Sequence, residues 1–319
     1  MIWLIGAGHM ATDYVDVLKK MNVHFQVIGR SEKNAQRLQK EKEISVQAGG
    51  LATWLAQQPE LPEAVIVAVD VDDLYETTHQ LITYGVQKIL IEKPGGINFE
   101  EISHLNEYAS AKSCAVYIAY NRRFYASVIE AKRRIEQDGG VSSFHFEFTE
   151  WSDAIGGLPK SSRCKENWLL ANSSHVIDLA FFIGGQPENF HAYQGGQSRL
   201  QWHPQSAIYT GAGVTETGAF FSYCANWDAP GRWSLEFMTE KNRYVFRPME
   251  VLQVQERNSV HFEEVQCDYS RETDLKSGLC DQVHGFLQAD VSPEIMRLGM
   301  QVRKQAIYDT ILHGGVYVN

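Results

Sequence analysis

Two short segments carry residue types that can manage a proton while a hydride moves. Glu92-Lys93-Pro94 places a lysine between a carboxylate and a proline. His175-Val176-Ile177-Asp178 places a histidine one helical turn before an aspartate. Oxidation of a secondary alcohol removes the hydroxyl proton as the hydride leaves, and reduction reverses both transfers. A histidine, with an ordinary pKa of about 6.5, suits the proton step. A lysine beside a cationic ring loses its proton more readily and could polarise the oxygen or relay the proton. Pro94 disfavours a helical conformation at Lys93 and so fixes its direction. On this reading Lys93 and His175 manage the proton and Asp178 orients His175.

A hydride needs a carrier, and the start of the chain offers a place for one. Gly6-x-Gly8-x-x-Ala11 follows an apolar strand pattern and opens a helical one. The first glycine permits a tight turn, the second lets the backbone approach a pyrophosphate, and the small third residue lets helix and strand pack closely. His9 and Met10 contribute backbone there. The expected path of a dinucleotide continues past Gly29, Arg30 and Ser31 after the second strand. The second strand ends without the Asp or Glu that binds a ribose 2′-OH in NAD sites. Arg30 could pair with a 2′-phosphate or stack on adenine, Ser31 can donate a hydrogen bond, and Lys33 and Arg37 add positive charge. The pattern favours NADP(H), with NAD(H) still possible.

The elements that position these groups follow from periodicity. Apolar runs at residues 2–5, 24–28, 44–47, 64–69, 88–91 and 115–119 alternate with helical patterns, which predicts a doubly wound parallel sheet, an α/β Rossmann domain over residues 1–120. After a helix at residues 124–137 the pattern changes. Period-2 segments at 143–148, 206–210, 219–227, 233–239, 244–247 and 261–266 predict an α+β domain over residues 121–319, with an open, mostly antiparallel sheet and a terminal helix at 293–313. A helix over residues 168–185 carries His175. Its only ionisable side chains are His175 and Asp178, and the face holding Trp168, Asn172, His175 and Asp178 mixes polar groups with aromatics, as a cleft wall or a packed interface does.

The remaining candidates have either a substrate role or a structural one. Arg122 or Arg123 could bind an anionic group such as a carboxylate or phosphate, or else tie the domains together by a salt bridge. Trp168 could stack on a sugar face or fill the core. Asn172 and Ser174 could make polar contacts.

Composition narrows the function classes. The chain has 319 residues and a net charge of −10, which disfavours non-specific binding to nucleic acid or anionic membrane. Its five cysteines are odd in number and show no C-x-x-C spacing, so no disulfide framework is expected, and no zinc site. The histidines lack ligand spacing, and no metal is expected. No apolar run reaches the roughly 18–20 residues of a membrane span, and no basic segment precedes the first strand. A cytoplasmic chain starting at or near Met1 is expected.

The segments at 6–11, 92–94, 120–124 (Tyr120-Asn121-Arg122-Arg123-Phe124) and 175–178 together resemble the Gfo/Idh/MocA oxidoreductase family in order and spacing over nearly the whole chain. The resemblance implies hydride transfer between a nicotinamide and a carbinol carbon, usually of a sugar, cyclitol or nucleotide sugar. It places Lys93 beside the nicotinamide and the substrate hydroxyl, implies cofactor contacts at Ala68 and Val69 after the fourth strand, Glu92 after the fifth and Asn121 after the sixth, and makes His175 the proton-transfer group. It further implies that substrate lies between the domains, beyond the carboxyl ends of the strands. A homodimer or homotetramer is expected through the uncovered sheet face. The chain departs from the family at Val69-Asp70, Glu166-Asn167-Trp168, Ala171 and Ser173, which implies an altered substrate pocket. Two alternatives stand beside the dehydrogenase: an NAD-dependent glycosidase-like enzyme of the same family, and a non-catalytic NAD(P)-binding protein.

Overall fold

The computed structural model describes all of residues 1–319. The chain divides into two compact units, one formed by Met1–Asn121 with Arg271–Arg303, the other by Arg122–Ser270 with Lys304–Asn319.

The first unit is built on six parallel strands: β1 (Ile2–Ile5), β2 (Phe25–Ile28), β3 (Val46–Gln47), β4 (Ala64–Val67), β5 (Lys88–Glu92) and β6 (Ala115–Ala119). Their spatial order is β3-β2-β1-β4-β5-β6, so the direction of winding reverses between β1 and β4. Every side chain of β1 and β4 is buried, which is why both read as continuous apolar runs. Helix α1 (His9–Lys20) follows β1 and buries Ala11, Tyr14, Val15, Val17 and Leu18. Ser31 caps the next helix, its Oγ accepting from the Asn34 N–H at 3.4 Å.

The first unit is not one continuous segment, as the expected domains 1–120 and 121–319 would be. Arg271–Arg303 belongs to the first unit. Within it, Met296–Arg297 pairs antiparallel with Ile118 and Tyr117 as a seventh strand. That pairing takes the place of the start of the expected helix 293–313, and a break at Lys304 separates the rest into Leu298–Arg303 and Gln305–His313. The helix Leu279–Leu287, absent from the sequence reading, belongs to the same segment.

The second unit carries a nine-stranded sheet in the order Glu263–Glu264, Leu252–Glu256, Asn242–Phe246, Ser234–Met238, Ser143–Glu147, Phe220–Asn226, Ile208–Thr215, Pro187–Gly195, Gly315–Val318. All neighbours are antiparallel except Ser143–Glu147 with Phe220–Asn226. Pro187–Gly195 went unread because it opens on proline, yet a first position tolerates proline, and buried Phe190 and Ala192 alternate with exposed His191 and Tyr193.

The helix with His175 begins with a π-helical turn, Leu169–Ser173, before regular helix Ser174–Gly184. The inserted turn changes the helical register, so Trp168 does not share a face with the residues after it as an unbroken helix would require. Phe181 fixes the helix to the sheet. Its ring meets Phe144, Phe146 and Phe221 edge-on, at 6.1, 5.6 and 5.2 Å between centroids.

Candidate functional site

In the first unit the glycine loop sits at the carboxyl end of β1, where the winding reverses. Gly6 has φ +128°, and a Cβ there would come within 2.3 Å of the Ala68 carbonyl oxygen. Glycine is therefore required for β1 and β4 to lie this close. Gly8 is different. Its φ is −85°, and a Cβ would meet nothing within 4 Å. It is the N-cap of α1, with no side-chain cap, so the first N–H groups of the helix are left for a ligand. Open space above uncapped amides fits a pyrophosphate, and the residues present suit a dinucleotide.

The end of β2 is more constrained than the sequence suggests. Arg30 Nη1 pairs with Asp73 Oδ1 at 3.0 Å. Arg37 donates to the Ala7 carbonyl at 3.1 Å and pairs with Glu41, so it braces the glycine loop and is not a spare cation. Asp73 is a residue the sequence reading missed; the acidic run Asp70-Val71-Asp72-Asp73 was the available signal. Ala68 is buried and Val69 half-buried at the end of β4, and His9 is exposed at the start of α1.

At the end of β5, Glu92 accepts from the Tyr14 hydroxyl of α1 at 2.8 Å. Burial pushes the Glu92 pKa up, partly offset by the Tyr14 hydrogen bond and the Lys93 charge. Burial and the Glu92 carboxylate together push Tyr14 well above its ordinary value. Glu92 thus ties α1 to the strand that presents Lys93, which is half-buried and joined to Pro94 by a cis peptide. Met10 Sδ and Asp13 of α1 both approach Lys276 Nζ, at 2.8 and 3.2 Å. Asn121 is buried and donates to the Ser277 carbonyl at 3.1 Å, so its amide N–H already has an acceptor within the protein.

In the second unit the expected His175–Asp178 pairing is not formed. Asp178 is 1% exposed and accepts two bonds from Arg123, Nε and Nη2, each at 2.7 Å. Lys304 Nζ adds a third at 2.8 Å. Burial alone would raise the Asp178 pKa, but the Arg123 and Lys304 charges outweigh it and hold the carboxyl at about 2. Burial lowers the Lys304 pKa and Arg123 repels its charge, with Asp178 offsetting only part. Arg123 is therefore a buried structural arginine, also stacked on Phe182 at 4.4 Å, and not a substrate ligand.

Two further expectations change. Trp168 is buried edge-on to Trp202 at 5.9 Å, which excludes it as a sugar platform. The Asn172 amide donates to both carboxylate oxygens of Glu150, at 2.9 and 3.1 Å, with Ser173 Oγ adding a bond at 2.7 Å. Asn172 thus holds Glu150. What the structure gathers near His175 is a group the sequence reading mostly missed. The half-buried His175 ring lies 6.1 Å from that of Trp233, and the guanidiniums of Arg122 and Arg232 lie 4.8 and 4.5 Å from Trp233. Only Arg122 was foreseen. Arg232-Trp233 stands just before a strand, with no local motif to mark it.

Comparison with known proteins bears on the same features. Residues 1–120 match a family described as an oxidoreductase family with an NAD-binding Rossmann fold (GFO_IDH_MocA). An uncharacterized oxidoreductase, C115.03, of Schizosaccharomyces pombe is 28% identical over 142 residues, 43% of this chain and 38% of that protein. This chain thus spans about two fifths of that relative's length. Levoglucosan dehydrogenase, solved with NADH and L-sorbose, superposes with a TM-score of 0.76 at 18% identity, covering 97% of this chain and 95% of its own. UDP-N-acetylglucosamine 3-dehydrogenase GnnA of Acidithiobacillus ferrooxidans gives 0.72 at 16%, covering 98% and 96%. An NAD binding oxidoreductase of Klebsiella pneumoniae gives 0.74 at 16%, covering 97% and 95%. At these identities the superpositions speak for the two-domain fold.

Proposed function

We propose, from the match of residues 1–120 to an oxidoreductase family with an NAD-binding Rossmann fold, that the chain is an NAD(P)-dependent dehydrogenase or reductase acting on a carbinol carbon of a sugar, nucleotide sugar or cyclitol. The observation that carries this is the open space over Gly8 above the uncapped start of α1, at the point where the sheet reverses. A bound nicotinamide supplies the site that takes or gives the hydride. Lys93 polarises the substrate oxygen, its direction set by Pro94 and by the strand that Glu92 anchors to α1. His175 takes the hydroxyl proton during oxidation and returns it during reduction. Asp178 acts at a distance from the proton, as the anchor of Arg123 and Lys304.

NADP(H) is the proposed cofactor, with Arg30 meeting the 2′-phosphate. Asp73 already shares that guanidinium, so the preference over NAD(H) is modest. The proposed assembly is a homo-oligomer through the sheet face bearing Tyr193, Phe220, Val316 and Val318, all exposed.

The test is calorimetric titration of NADPH and NADH into protein stripped of nucleotide, as wild type, R30A and K93A. NADPH binding weakened by R30A is expected. Equal or tighter NADH binding would overturn the cofactor preference alone. Absence of binding by either nucleotide would overturn the enzyme reading.

A further inference from the structure

Beside His175 the second unit holds a guanidinium whose hydrogen-bond donors its own residues do not satisfy. The Arg122 guanidinium rests against Trp233 at 4.8 Å and Tyr125 at 5.9 Å, and no carboxylate or carbonyl of the protein accepts a hydrogen bond from it. Its Nε is buried without a partner. Arg232 stacks on the same Trp233 at 4.5 Å and on Trp151 at 4.4 Å. Glu150 reaches Arg232 only at 3.7 Å, because Asn172 and Ser173 hold it. Glu250 and Glu150 lie near enough to act on the Arg122 charge, yet neither accepts a hydrogen bond from it. Trp233 between the two guanidiniums is 4% exposed, and its indole N–H has no acceptor.

Cations removed from water are ordinarily paired, because an unpaired one gives up hydration for nothing in return. Aromatic faces hold a guanidinium in place but leave its N–H donors unsatisfied. The acceptor that would satisfy these donors is planar and anionic, which an arginine fork binds in two parallel hydrogen bonds. We propose that the substrate carries a carboxylate, bound by Arg122 with Arg232 beside it and seated next to His175. The substrate is then an acidic sugar or polyhydroxy acid rather than a neutral sugar. This rests on the dehydrogenase reading above and narrows its substrate class. With Glu250 and Glu150 close to Arg122, a singly charged carboxylate meets less repulsion than a phosphate dianion, the other source of the same chemistry.

The experiment compares matched ligands on the full chain saturated with whichever nucleotide binds. D-glucuronate is titrated against D-glucuronamide, D-galacturonate against D-galactose, and D-glucose 6-phosphate against D-glucose, by calorimetry. Oxidation of the same compounds is followed as nucleotide reduction. The carboxylates are expected to bind at least about tenfold more tightly than their neutral partners, by one charge-assisted fork. R122Q should erase that difference, R122K should retain part of it, R232Q should reduce it, and added salt should shrink it. The wild-type comparison stands even if a variant fails to fold. Equal affinity within each pair, or absence of carboxylate binding, overturns the proposal. Preference for the phosphate alone overturns the carboxylate assignment. Oxidation of neutral sugars without preference for acids would sink the charge inference and leave the dehydrogenase reading intact. Failure to bind either nucleotide would remove both.

Discussion

Asp178→Asn tests the buried charge cluster that replaces the expected His–Asp pair. The carboxylate, Arg123 and Lys304 are 1, 5 and 6% exposed, so solvent screens little of their interaction. An ordinary aspartate titrates near 3.8, and here the charges of Arg123 and Lys304 hold it at about 2. That difference is worth about 2 kcal/mol of stability at neutral pH. Asn keeps the shape but leaves two buried cations facing each other, a loss of about 3–5 kcal/mol in comparable cases. Lys304 already yields its proton more easily than usual, which relieves part of the loss and puts the expectation near the lower end, about 3 kcal/mol. The assay is urea unfolding followed by circular dichroism, from pH 7 down to pH 2. The folded pKa lies below the unfolded one, so the contribution is complete above about pH 5 and lost as pH falls toward 2. The gap between wild type and D178N should therefore narrow by about 2 kcal/mol over that window. K304M, which removes the surplus cation and leaves the Arg123–Asp178 fork, should cost less than D178N. A gap below about 1 kcal/mol at pH 7, or one independent of pH, would refute the reasoning.

Gly8→Ala should leave thermal stability unchanged or raise it by about 0.4–1 kcal/mol while weakening nucleotide binding, since its Cβ enters only the space a pyrophosphate would fill; melting and titration on one sample check both. Gly6→Ala should cost upward of about 1–3 kcal/mol in chemical denaturation, because its Cβ meets the Ala68 carbonyl at 2.3 Å and φ is +128°. Asp73→Asn frees Arg30 from an exposed pair and should shift the NADPH to NADH affinity ratio upward, by at most about fivefold. Phe220→Lys puts a charge on the uncovered sheet face and should lower the association state seen in sedimentation, whereas an already monomeric wild type would contradict the proposed assembly.

The parts legible in the sequence are those fixed by local pattern. Ile2–Ile5 and Ala64–Val67 are buried on both faces and read as apolar runs, and Gly6 could be read because its turn admits no side chain. Residue pairing was not legible. His175 and Asp178 stand one turn apart, as a hydrogen-bonded pair would, yet Asp178 turns to Arg123, 55 positions away, and to Lys304, 126 positions away. Spacing within a helix says which residues could meet, but a guanidinium and an ammonium from distant segments bind the carboxylate more strongly than a neutral imidazole would. Arg122 and Arg123 illustrate the same limit. They are adjacent and alike in type, and only the fold shows that one is engaged by a carboxylate while the other lies on an indole.

The first unit is discontinuous, and the order of synthesis gives this a consequence. A ribosome completes β6 some 180 residues before it delivers Arg303, the end of the segment that supplies the seventh strand. At about 5–20 residues per second, the emerging nucleotide-binding sheet waits on the order of 10–40 s for that strand and for the helix carrying Gln282, whose side chain lies within 3.5 Å of the Tyr14 hydroxyl. During this interval β6 is an open edge, able to accept a foreign strand. Expression at lower temperature or with chaperones that shield sheet edges should therefore raise the folded yield more than it does for a dinucleotide-binding domain encoded as one uninterrupted segment.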